Sequence, residues 1–143
     1  MKQALDVREH RYVIHLQLKH PHMTVAEVTQ GMAAGRPDYA WEAGAVPFDG
    51  WMLWERVKET RGELDFGEEL MDLFEWLALR REFLTVFTSS GGEFNVQLQL
   101  VGPWYWPAQA IPRQVLQAAL DLNVGLQFGM EGKANTVPAA GAD

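Results

Sequence analysis

The sequence predicts an α+β fold, a mainly antiparallel sheet with helices packed on one face, built as two pseudo-repeated strand-loop-helix-strand units joined by a long helix. Three observations predict it: segments that alternate apolar and polar residues, capping chemistry that marks helix starts between them, and a similar order of elements in both halves. In the first segment Tyr12, Ile14, Leu16 and Leu18 fall on one side and Val13, His15, Gln17 and Lys19 on the other, the period of a strand with one buried face. Phe94, Val96, Leu98 and Leu100 repeat the pattern, as do Val124, Leu126, Phe128 and Met130. Strands buried on both faces read instead as continuous apolar runs, so an antiparallel sheet with one wetter face is expected. A further strand is expected over Trp51 to Val57, where four consecutive apolar residues suit a strand covered on both faces.

Helices fill the intervals. Thr24 and Glu27 form a T-x-x-E capping box, and Val25, Val28 and Met32 share one stripe before Gly35 and Pro37 end it. Asp65 and Glu68 repeat the device ahead of the longest pattern, in which Leu70, Leu73, Phe74 and Leu77 recur and Leu84 and Phe87 extend the stripe, with a break near Ala78 as the weak point. Pro112 suits a first helical turn, followed by Val115, Leu116, Ala119 and Leu120. Residues 1–130 read as one domain and 131–143, rich in Gly, Ala and Pro, as a flexible C-terminal tail.

The 143 residues carry 12 Lys and Arg against 19 Asp and Glu, a net charge of -7. That balance argues against direct nucleic-acid binding, which needs a cationic patch. A chain of this length buries about 70% of its unfolded surface, so it needs neither disulfide nor metal to hold a core. Without cysteine there is no thiolate chemistry and no zinc-thiolate site. No apolar run has the length of a membrane span or signal peptide, and a cytoplasmic protein is the expectation.

Few residues suggest catalysis. Ser89 and Ser90 precede Gly91 and Gly92 without the G-x-S-x-G pattern of a nucleophile elbow, and a turn into the next strand is the better reading. His10, His15, His20 and His22 cluster near the N-terminus, and His20-Pro21-His22 could offer two imidazoles to a metal; a loop with two exposed histidines is preferred because no carboxylate at helical spacing completes a site. Phosphate-binding glycine motifs are absent from the sequence. No catalytic residue, metal ligand or cofactor is therefore assigned.

Two surface features invite a partner. Glu63, Asp65, Glu68, Glu69, Asp72 and Glu75 gather carboxylates on the start of one helix, with Glu68, Asp72 and Glu75 on a single face. Such a face is either solvated and dipole-friendly or a docking surface for a basic protein. Trp104, Tyr105 and Trp106 lie consecutively between Pro103 and Pro107 and cannot all point into one core. They either cap the sheet or anchor a partner.

The order of these patterns, with Gly50-Trp51-Met52-Leu53-Trp54-Glu55 opening the second strand, resembles an uncharacterised bacterial family of small α+β domains of unknown function, some similar to immunity proteins that neutralise a companion toxin. The likeness covers residues 11 to 130. Where the family tends to have a Leu-Gly-x-x-Pro turn after its first helix, this chain has Gly31-Met32-Ala33-Ala34-Gly35-Arg36-Pro37. The resemblance brings no catalytic residues. It implies an immunity protein that neutralises a cognate toxin; with the two surface features above, the expectation is occlusion of a basic active site, with Glu68, Glu69, Asp72, Glu75, Trp104, Tyr105 and Trp106 as contacts. The alternative is a small-molecule-binding domain or metal-dependent enzyme using His15, His20 and His22 beside Trp41. A homodimer formed through the sheet edge is compatible with both.

Overall fold

The alternation from Tyr12 to Leu18 becomes the central strand of the sheet. In the computed structural model, which describes residues 11–44, 50–61, 66–102 and 110–132 (backbone alone at 60, 61, 131 and 132), β1 (Arg11–His20) pairs antiparallel with β3 (Met52–Arg61) on one edge and β4 (Glu93–Gly102) on the other. The short β2 (Tyr39–Trp41) adds antiparallel to β3, and β5 (Gly125–Gly132) adds parallel to β4, giving the order β2-β3-β1-β4-β5. The α+β class holds. The sheet is mixed, because α4 (Arg113–Leu122) carries the chain from the end of β4 back to its starting side, and a helical crossover of this kind returns a parallel strand.

That crossover also makes the two halves unequal, against the expected pseudo-repeat. After β1, α1 (Val25–Met32) crosses to β2, which runs in the same sense as β1; β3 then turns back and inserts between them. In the second half nothing separates β4 from β5. The expected long helix is two helices, α2 (Gly67–Ala78) and α3 (Arg81–Ser89). Between them Leu79 stands 82% exposed. Arg80 leaves helical geometry, stacks its guanidinium on the Trp76 ring at 3.7 Å, and donates to the Met32 and Trp76 carbonyls. The joint is thereby tied to the end of α1.

Even-numbered residues of β1 and β4 join Val28 and Met32 of α1, Leu70, Phe74 and Leu77 of α2, Leu84 and Phe87 of α3, and Val115, Ala119 and Leu122 of α4 in one core. Helices α1, α2, α3 and α4 therefore cover the same face. α1 starts as its sequence requires: the Thr24 side chain accepts from the Glu27 amide at 3.1 Å, and Glu27 accepts from the Thr24 amide at 2.8 Å. α2 does not. Its cap position falls on Phe66, whose buried ring meets Tyr12 edge-on, and there is no side-chain cap; Asp65 lies outside the described residues. Pro112 occupies the cap of α4, one position before its first turn. At the far edge, Phe128 and Met130 are more than half exposed although they share the core side of the sheet, because an edge strand has a neighbour on one side only. β5 runs to Gly132, two residues beyond the expected domain limit.

The turn from α3 into β4 depends on Gly92. A Cβ there would meet the fully buried Phe87 ring at 2.4 Å and the Phe87 carbonyl at 2.6 Å, neither of which can withdraw. Gly92→Ala is expected to destabilise the fold by about 1–3 kcal/mol, read as a lower urea midpoint at unchanged slope. An unaltered midpoint would show that this turn yields.

Candidate functional site

Among the described residues, four places bring chemistry-bearing side chains together. The first is the outer surface of α2. Glu68, Asp72 and Glu75 are all exposed on one stripe, as their spacing requires, and none forms an ion pair with another described residue. Glu69 departs from the group. It turns toward the sheet and accepts a hydrogen bond from Lys58, which holds that ammonium above its ordinary value. Leu79, four residues after Glu75, continues the stripe beyond the helix end. Glu63, Asp65, Trp104, Tyr105 and Trp106 lie outside the described residues.

The second is the sheet face opposite the helices. Strand parity places His15, Gln17 and Lys19 of β1 there, with Glu55 of β3 and Asn95, Gln97 and Gln99 of β4 alongside. His15 Nδ1 lies 2.6 Å from a Glu55 oxygen, and Gln17 donates to the other oxygen at 3.4 Å. At one end Trp41 pairs with Leu53, which is 2% exposed.

The third is His20, expected in an exposed loop and found 1% exposed at the end of β1. It continues the even-numbered row of Tyr12 to Leu18, so parity carries it to the core side. Its Nδ1 accepts from the His22 and Met23 amides at 2.9 and 3.0 Å. The ring proton therefore sits on Nε2, which donates to Ser90 Oγ at 2.8 Å. Ser90 in turn donates to the Val86 carbonyl at 2.7 Å. In a nucleophile pair the histidine accepts the serine proton; here the polarity is reversed, and Ser90 is not activated. The arrangement works as a latch joining the end of β1 to the end of α3. It also parts His15 from the other histidines of the metal alternative, while the His20 and His22 rings stay neighbours with centroids 6.0 Å apart. His15 points to the opposite face, His20 has both nitrogens engaged, and His10 lies outside the described residues. Among the described residues no three His, Asp or Glu side chains gather as a metal site.

The fourth is a cleft of about 520 Å³ on the helix side, between the end of α1, α2 and the strands β1 and β3. Ile14, Leu16, Leu73 and Trp76 supply its apolar surface, Ala33 and Ala34 one wall, and Arg56 and Lys58 the charge. Sequence reading passed over Arg56 and Lys58. The signal was present: they share strand parity with Met52 and Trp54, which makes them cations on the covered side of a strand.

Comparison with family models, with curated proteins and with solved structures returned no match. Among the described residues no helix is long and apolar enough to cross a membrane.

Burial, with the neighbouring His22, lowers the His20 pKa below the ordinary 6.5. As pH falls through 6.5 the unfolded chain takes up this proton before the folded one does. Stability should therefore be full above that value and decline below it, until the folded pKa is reached. His20→Asn, which keeps an acceptor near the Nδ1 position and does not titrate, should flatten the decline measured by urea unfolding between about pH 7 and 5. An identical slope in both proteins would remove His20 as the cause.

Proposed function

We propose that this chain is a protein-binding module acting by stoichiometric occlusion without turnover, in the manner of an immunity protein against a cationic toxin. The observation that carries the reading is the outer stripe of α2. Three carboxylates stand in solvent without an ion pair among the described residues, Asp72 feeling Lys58 only at a distance, and the stripe ends on Leu79, one of the most exposed large apolar side chains described. An acidic surface of this kind steers a basic partner and raises its association rate by about 10- to 1000-fold, while an exposed leucine supplies apolar area for the final contact. The helix rests on a core through Leu70, Phe74 and Leu77, so the stripe is presented on a rigid support. Rigid surfaces lose less entropy on docking. Trp104, Tyr105 and Trp106 enter the proposal as additional anchors on sequence grounds alone.

The partner to try first is the product of the adjacent gene, with association followed by stopped flow at several ionic strengths. Glu68→Lys combined with Asp72→Lys should slow association by about tenfold at low salt and flatten its salt dependence, with the dissociation rate little changed. Association as fast as that of the unmodified chain would rule out the α2 stripe as the steering surface.

A further inference from the structure

The cleft beside Arg56 carries an inference separate from the α2 stripe. It exists because α1 stops early. Met32 is the last helical residue, Ala33 adopts a left-handed conformation at φ 52°, and only the small side chains of Ala33 and Ala34 follow over this part of the sheet. Beneath them Ile14 and Leu16 of β1 form an apolar floor, with Lys58 and Arg56 as their cross-strand neighbours. Leu73 and Trp76 of α2 close the opposite side. At about 520 Å³ the space lies within the range of small-molecule sites, and it combines apolar walls with few charged groups as such sites do.

The charges in the cleft are not equivalent. Lys58 is hydrogen-bonded to Glu69 and also feels Asp72, so its charge is already matched. Arg80 is committed to the Trp76 face and two carbonyl oxygens. Arg56 has no hydrogen-bond or ion-pair partner among the described residues, although it is only partly exposed beside an apolar floor. A guanidinium presents paired donors that match a carboxylate. A dianionic phosphate would leave one charge unmatched near Glu69 and Asp72, whereas a monocarboxylate leaves none. In a chain of net charge -7, a cation left without a partner beside an apolar floor offers an anion a specific point of attraction.

We propose that this cleft binds a small amphipathic monocarboxylate, its carboxylate on Arg56 and its hydrocarbon body against Ile14, Leu16, Leu73 and Trp76. Trp76 supplies a spectroscopic readout. The test titrates the full chain with sodium octanoate by calorimetry and follows the Trp76 indole resonance, assigned with Trp76→Phe; octanol and octylamine serve as probes without the anion. Octanoate should bind and shift the Trp76 signal. Arg56→Gln should weaken it about tenfold or more while leaving octanol unaffected. Ala34→Leu, which fills the wall without altering charge, should weaken both, and circular dichroism on each variant confirms the fold. No octanoate binding up to about 10 mM, equal binding of octanoate and octylamine, or an affinity indifferent to Arg56→Gln would each overturn the proposal.

Discussion

The central strand of the sheet, paired along nearly its whole length on both edges, holds this molecule together. β1 is hydrogen-bonded to β3 from Arg11 to His20 and to β4 from Arg11 to Lys19, and its even-numbered side chains form the floor on which all four helices rest. Its alternation sends Tyr12, Ile14, Leu16, Leu18 and His20 to the covered side and His15, Gln17 and Lys19 to the open one. A shift of register by one residue would exchange these sets, burying the polar side chains and exposing the apolar ones. The surfaces considered above are all built on or over the sheet that this register sets.

The surfaces differ in how they depend on it. The α2 stripe needs only a helix whose inner residues are fixed in the core, because its three carboxylates work through their field. The Arg56 cleft needs the register itself, since a cation must stand across from Leu16 and beneath a gap in the helical layer. The His20 latch needs the end of the strand: one imidazole joins the loop after β1 to Ser90 at the end of α3. Its hydrogen-bond polarity makes it a structural group even though it contains the serine and histidine of a hydrolase. Direction of proton donation, rather than proximity, decides between those roles.

Much of this was legible in the residues. The alternation from Tyr12 and from Phe94 identified two of the three ten-residue strands, and the Thr24 box identified the start of α1. β2 escaped because three residues are too few to display a period. The break between α2 and α3 falls at the weak point near Ala78, although Leu77 and Leu84, seven residues and two helical turns apart, let the apolar stripe read as continuous through the joint. Phe128 and Met130 were assigned to the correct side but not to the correct environment, since parity gives direction and only the reach of the neighbouring helices gives burial. For the same reason His20, Arg56 and Lys58 could have been placed on the covered side by counting in twos. The uncommitted state of Arg56 depends on tertiary neighbours and had no local signature.

The dependence on β1 is measured most directly by native-state hydrogen exchange. If this strand is the centre of the cooperative unit, the amides of Val13 to Lys19 should exchange only through global unfolding, with opening free energies equal to the stability from denaturant titration, and those of β2 and β5 should open at lower energy. Exchange of the β1 amides through a local opening cheaper than that of the edge strands would contradict the account.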